Sequence, residues 1–323
     1  MTCGMPQGSI IGPKGYPPYV SPIFAIAKAC GVCMHMYAND TQLYLSFKPV
    51  DFPAAQAKME QCIAQIRQWL TQNYLKLNDD KTELIVIGQP TQLKKITHDL
   101  KITIGSSIVN AKSSVSNIGA VLDNGLRMDE HISTICRACN ISLRSISKIR
   151  PCLTEDSANT LIHSFITCKL DNLNSLLIGF SENRLYCLQL ILNHAARIIT
   201  KTRKYDHISD VLKALHWLPI TARIDYKVTL LVYKCLNCNG PSYLSDLLKM
   251  KVYSKYDTRY ADDKLRLDDA KKQKMRLKTM GDRAFSVYAP VAWNKLPLSL
   301  RSLSSLESFK KKLKTHFFTL SYG

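Results

Sequence analysis

The hydrophobic pattern of this chain changes period near Asp129, and that change limits the folds open to it. Before Asp129, short apolar runs alternate with turn residues. After it, apolar residues recur every three to four positions for most of the remaining length. Alternation at period two is the mark of half-buried strands, and three-to-four spacing that of amphipathic helices. The chain therefore reads as α+β: a strand-bearing first part followed by a helical second part. Its 323 residues and 46% hydrophobic content suit two or three packed domains.

The sharpest local pattern is Cys33-Met34-His35-Met36-Tyr37, then Ala38-Asn39-Asp40, then Thr41-Gln42-Leu43-Tyr44-Leu45-Ser46-Phe47. Leu43, Leu45 and Phe47 alternate with polar or amphipathic neighbours. This predicts a β-hairpin with Asn39 and Asp40 in its turn. Residues 53–74 predict a long helix. Pro53 suits its first turn, and Ala55, Met59, Cys62, Ile63, Ile66, Trp69 and Leu70 share one face. Leu75 to Asp80 reads as a turn. Thr82–Ile87, Ile102–Ile104 and Val115–Leu122 read as single strands. Gly15, Pro17 and Pro18 are expected to break any helix before Pro22, leaving a short one from Pro22 to Cys30 closed by Gly31.

In the second part, Ile132 to Ile146 predicts a helix ended by Pro151, and Thr154 caps the next. Arg184–Ile199, Asp210–Leu215 and Ile220–Leu236 follow as helices. Residues 249–283 carry 12 Lys+Arg against 6 Asp+Glu with little apolar period, and read as a basic linker. Ala284 to Phe318 returns to helical spacing and ends in Lys310, Lys311, Lys312 and Lys314. Trp217 and Trp293 read as core anchors.

Charge is divided as unevenly as period. The formal net charge of +19 splits into +2 for residues 1–130 and +17 for residues 131–323. A surplus of that size attracts polyanions by counterion release, so RNA or DNA is the expected partner. Arg197, Lys201, Arg203 and Lys204 form a cluster at a helix end, where cations serve either as phosphate ligands or as partners of the helix dipole. No apolar run reaches the roughly 20 residues a membrane span needs. The N-terminus shows no basic stretch followed by an apolar core. The 11 cysteines are odd in number and scattered. Together these predict an intracellular protein of the nucleus or cytoplasm with reduced thiols. Three Cys-x-x-Cys pairs occur, at Cys30/Cys33, Cys136/Cys139 and Cys235/Cys238. Two lie in helical stretches, so no zinc is expected.

Several motifs add a resemblance. Gly4-Met5-Pro6-Gln7-Gly8-Ser9-Ile10-Ile11-Gly12-Pro13 resembles a loop of reverse transcriptases. Tyr37-Ala38-Asn39-Asp40-Thr41-Gln42-Leu43-Tyr44 resembles the Tyr-Ala-Asp-Asp hairpin of non-LTR (LINE-type) retrotransposon enzymes. Leu75-Lys76-Leu77-Asn78 with Lys81-Thr82-Glu83 looks like the next palm motif, and Asn117 to Asp123 like the strand that grips the primer. Downstream, His216-Trp217-Leu218-Pro219, Ala222-Arg223-Ile224-Asp225 and Trp293-Asn294 resemble LINE reading frames.

This resemblance implies a truncated palm over residues 1–128, with an antiparallel sheet and one long helix. A helical thumb over 129–180 and a basic, mostly helical region over 181–323 would follow. It implies RNA-directed DNA polymerase ancestry with magnesium as the family cofactor. Gly4, Pro6, Gln7, Gly8, Ser9, Tyr37, Ala38 and Lys81 are the implied substrate-binding positions, and Asp40 the remaining metal ligand. The family's first hairpin Asp is Asn39 here. A second metal-binding Asp lies upstream of the Gly4 loop in the family, so this sequence is expected to lack it. With a neutral amide at Asn39, stable magnesium binding and polymerase activity are not expected. The alternative function is a retained, non-catalytic RNA- or DNA-binding module.

Overall fold

The computed structural model describes residues 12–237, 240–251, 265–269 and 281–323. It has two compact units, Met1–Glu130 and His131–Gly323. The first mixes small antiparallel sheets with one long helix, and the second is helical among its described residues.

The first unit opens with helices α1 (Gly12–Val20) and α2 (Pro22–Ala29). α1 runs through Pro17 and Pro18, against the expectation that they would break it. Two prolines remove two helical donors. The helix is only nine residues long, and Val20 is fully buried with Tyr16 packed on the same core. Packing thus outweighs a local penalty confined to about one turn. α2 ends as expected: Gly31 takes φ +63°, the left-handed conformation that glycine adopts without a Cβ clash.

Strands β1 (Cys33–Tyr37) and β2 (Asp40–Tyr44) follow, paired antiparallel from Cys33 opposite Tyr44 to Tyr37 opposite Asp40. The hairpin is the predicted one. Its two-residue turn is Ala38-Asn39, so Asp40 is the first strand residue and not part of the turn. Helix α3 (Phe52–Gln72) buries Phe52, Cys62, Ile63, Ile66 and Leu70 along the predicted face. Cys62, Ile66 and Leu70 meet Val20, Ile23, Ala27 and Val32 in one core, with Met34, Met36 and Leu43 of the hairpin packed against it. Ile63 packs with Ile102 and Ile104 in a second, smaller core.

A four-residue helix α4 (Pro90–Leu93) precedes strands β3 (Lys101–Ile104) and β4 (Ser107–Asn110), then β5 (Ser114–Asn117) and β6 (Ala120–Asp123). These form two further hairpins, so the described strands of this unit make three separate two-stranded sheets. Two strand predictions are corrected here. Thr82–Ile87 contributes only an isolated parallel bridge from Leu84 to Ala111, because no neighbouring strand runs beside it long enough to continue the ladder. Val115–Leu122 is not one strand but a hairpin turning at Ile118-Gly119, both at positive φ. Such a turn matches the twist of its strands, and Gly119 makes it feasible.

The second unit begins with α5 (Asp129–Ile149), followed by a 3-10 turn carrying Pro151. The Thr154 hydroxyl accepts the Ser157 N–H and so caps α6 (Glu155–Ile162), as its sequence predicts. A single π-turn, His163–Thr167, joins α6 to α7 (Cys168–Asp171). Next come α8 (Glu182–Thr200), α9 (Ile208–Ala214), α10 (Ile220–Leu236), α11 (Ser242–Ser245), α12 (Phe285–Asn294), α13 (Leu298–Arg301) and α14 (Leu306–Tyr322).

Apolar packing around α10 and α14 holds this unit together. The Tyr233 ring stacks on Phe309 at 4.0 Å between centroids, with Trp293 at 6.0 Å from the same ring. Trp293 and Trp217 are 1% and 5% exposed, so both anchor the core as expected. Much of 249–283 lies outside the described residues. What is described is more ordered than a linker: Met250 bridges Leu267, Leu267 is fully buried, and Asn294 hydrogen-bonds the Leu267 backbone through both its N–H and C=O. Leu265 and Leu267 alternate with charged residues over too short a run for sequence to have marked a strand.

Between α10 and α12, the Tyr288 hydroxyl donates to the Asp225 carboxylate. Burial raises the Asp225 pKa, while the Tyr288 hydrogen bond and the Lys295 charge oppose that rise. The folded state therefore holds this proton more tightly than the unfolded one. The stabilisation is complete below the ordinary carboxylate range near pH ~4 and is lost as pH rises through the elevated folded value. Asp225→Asn cannot ionise. Its melting temperature relative to the parent is expected to be higher at pH 7 than at pH 3.5. A difference that is constant across this range, or that falls, would contradict the assignment.

Candidate functional site

The hairpin separates two faces. Met34, Met36 and Leu43 turn toward the core, while Cys33, His35, Tyr37, Asp40, Gln42 and Tyr44 share the other face by register. On that polar face the His35 ring stacks on Tyr44 at 5.5 Å. The Gln42 side-chain amide donates to the Asn117 side-chain oxygen at 2.7 Å. This bond ties the β1–β2 hairpin to the β5–β6 hairpin across 75 residues of sequence. It joins two motifs that the sequence treats separately, and neither residue carried a local signal for it.

At the tip, Tyr37 is 65% exposed and Ala38 takes φ +53°. Asn39 and Asp40 are both exposed. Four other acids of this unit are engaged elsewhere. Asp79 pairs with Arg67, and Glu83 pairs with Lys112 at 2.7 Å. The Asp123 carboxylate accepts the backbone N–H groups of Gly125, Arg127 and Met128, fixing the loop before α5. Glu60 accepts the Thr103 N–H at 2.7 Å. Lys81 lies on a 3-10 turn, its backbone N–H bonded to the Asn78 side chain, and its ammonium makes no ion pair among the described residues. Gly4, Pro6, Gln7, Gly8 and Ser9 lie outside the described residues, as does Cys238.

A two-metal centre needs several hard, charged oxygen ligands converging on one point. Among the described residues no group of three or more His, Cys, Asp or Glu is placed to hold a metal ion. Residues 1–11 contain no Asp or Glu. At the hairpin the available donors are one exposed carboxylate, Asp40, and the neutral amide of Asn39. This set does not fit a pair of magnesium ions.

The family model for reverse transcriptase (RNA-dependent DNA polymerase) matches residues 1–121, which include the hairpin and its Asn117 partner. The chain carries a reverse-transcriptase domain over part of its length. No curated protein and no solved structure matches it. The reverse-transcriptase match ends within β6, before the helical unit begins.

The helical unit holds a second candidate site, at the C-terminal end of α8. An open cavity of about 820 Å³ is lined by Arg150, Arg197, Lys201 and Lys204 together with Ser147, Pro151, Leu190, Asn193, His194, Ile198 and Thr202. None of these is acidic. Three of the four cations predicted from sequence reach this cavity; Arg203 lies on the same loop but does not line it.

The geometry separates these cations by role. Arg150 is buried, and its guanidinium donates to the Ile198, Ile199 and Leu153 carbonyls, each at 2.7 Å. It satisfies the carbonyls that the end of α8 leaves open. Arg197 donates to the Arg203 and Asp206 carbonyls at 3.2 and 3.0 Å, holding the loop that follows the helix. Lys201 closes the helix in the left-handed conformation at φ +55°. Lys204 sits over the Tyr205 ring at 5.5 Å. Among the described residues, no ion pair or hydrogen bond engages the Lys201 or Lys204 ammonium. The cations divide by what they touch: the two arginines build the helix end, while Lys201 and Lys204 extend their charge to solvent.

His194 was missed from sequence. It stands between Leu190 and Arg197 on α8, and the positions 190, 194, 197 and 201 share one helical face, so the spacing itself held the signal. Partial burial and, after it, the adjacent Arg197 charge lower its pKa. No helix of the described residues is long and apolar enough to cross a membrane.

Proposed function

We propose that this chain descends from a LINE-type retrotransposon reverse transcriptase and does not synthesise DNA as it stands. The observation that carries this is the hairpin tip, where Asn39 occupies the position of a family carboxylate and the exposed Asp40 belongs to no group of three or more His, Cys, Asp or Glu placed to hold a metal ion among the described residues. Replacing a carboxylate by an amide removes one formal charge from a site that must hold two divalent cations, and the oxygen that remains is a weaker ligand.

Metal binding tests this directly. A manganese titration followed by water-proton relaxation should show no saturable site tighter than millimolar in the parent chain. Asn39→Asp should gain at most one weak site, since it creates only two adjacent carboxylates at an exposed hairpin tip. Two saturable micromolar sites in the parent would overturn the proposal.

A second reading has its own observation in its favour. The helical unit carries the larger basic surplus, and its acid-free cavity presents two unpaired lysines. It supports a nucleic-acid-binding role that does not depend on catalysis. Tyr37, Ala38 and Lys81 are retained by descent under this reading, and binding resides in the helical unit.

A further inference from the structure

The geometry points to the cavity at the end of α8 as a subsite for an unpaired nucleotide, with Lys201 and Lys204 on its phosphates and its base against His194, Leu190 and Pro151. The inference rests on the nucleic-acid-binding reading and narrows it to a single-stranded ligand.

Three observations converge on it. The volume, about 820 Å³, lies in the range of sites that enclose a small organic ligand, whereas a surface that only tracks a duplex backbone needs no cavity. The lining is mixed: two free ammonium groups stand beside an apolar wall of Leu190, Pro151 and Ile198. A nucleotide has that same division between charged phosphate and flat base. His194 supplies an aromatic ring on this wall, and ring faces are how proteins hold unstacked bases. A paired base is stacked within its duplex and cannot enter.

The support behind the cavity is rigid. Arg150 fastens the last carbonyls of α8, and Arg197 fastens the loop carrying Lys204. These two arginines act as positioning residues. An acidic peptide would satisfy the lysines but would leave the apolar wall and ring without a partner, so a nucleotide accounts for more of the lining.

The test is fluorescence anisotropy with the full chain and labelled 20-mers of oligo(U), oligo(dT) and a duplex RNA, at salt from 50 to 200 mM. Lys201→Asn/Lys204→Gln removes both charges, and Asn tolerates the left-handed backbone at 201. Each phosphate contact on a single strand contributes about 0.7 to the slope of log affinity against log salt. The double variant should therefore bind the preferred single strand at least tenfold more weakly, with a slope shallower by about 1.4. His194→Ala should weaken single-strand binding several-fold, leave the slope unchanged and leave duplex binding unchanged. The tighter of oligo(U) and oligo(dT) identifies the strand that the site takes.

Equal losses on duplex and single strand, or an unchanged slope in the double variant, would overturn the subsite while leaving nucleic-acid binding intact. Absence of binding to all three ligands by the parent chain would overturn the binding reading itself. Photo-crosslinking of a 4-thiouridine oligonucleotide to the parent chain gives a second measurement that needs no variant. The crosslinked peptide should contain His194, and crosslinks confined to other segments would contradict the assignment.

Discussion

Replacing Arg150 by Met is expected to destabilise the helical unit by about 3–5 kcal/mol, a large part of the 5–15 kcal/mol by which folded domains are ordinarily stable. The change keeps an apolar stem of similar length but removes the guanidinium. The Ile198, Ile199 and Leu153 carbonyls then lose a charged donor at 2.7 Å each. Two of them belong to the last turn of α8, where the helix provides no donor of its own. The positive charge at that end, which offsets the helix dipole, is also lost. Arg150→Lys should recover only part of the difference, because one ammonium cannot reproduce a planar fork that reaches three acceptors.

Urea unfolding followed by tryptophan fluorescence in a Trp69→Phe background reports on this unit, since Trp217 and Trp293 are both buried in it. A loss below 1 kcal/mol in Arg150→Met would mean that the three hydrogen bonds do not carry the weight assigned to them. The consequence for function follows from position: Arg150 lines the cavity that Lys201 and Lys204 border, so the variant should lose nucleic-acid affinity together with stability. The lysine pair, being exposed, should lose affinity alone.

How far sequence could reach differs from element to element. α10 was legible to the residue, Ile220–Leu236, because Pro219 stands before it and a strong apolar period runs through it. The β1–β2 hairpin was legible because alternation fixes which face each side chain takes, and a slip of one residue would have exposed Met34, Met36 and Leu43. α1 was misread, since the cost of Pro17 and Pro18 is local and visible while the burial of Val20 is tertiary and not. Thr82–Ile87 had the composition of a strand but pairs only through the single bridge from Leu84 to Ala111, and pairing is not a property of a single segment.

The candidate sites divide along the same line. Asn39 and Asp40 could be named from sequence because the motif that carries them is contiguous. The engagement of Asp79, Glu83 and Asp123 by other groups could not, since each depends on which donors the fold brings near. Charge counting found Arg197, Lys201, Arg203 and Lys204, but it could not tell arginines tied to carbonyls from lysines free in solvent. Arg150 lies 48 residues from the carbonyl of Ile198 and gave no local sign of its role.

We propose that the reverse-transcriptase domain over residues 1–121 keeps its hairpin without a ligand set for its chemistry: among the described residues no group of three or more His, Cys, Asp or Glu is placed to hold a metal ion. Primer extension tests it most directly, with the parent chain and Asn39→Asp on a homopolymer RNA template carrying an annealed DNA primer, in magnesium. Both proteins are expected to give no extension, because one reversion at an exposed tip still leaves too few carboxylates to hold two cations. Magnesium-dependent DNA synthesis by the parent chain would contradict the account outright, and synthesis by Asn39→Asp alone would show that Asn39 was the only lesion.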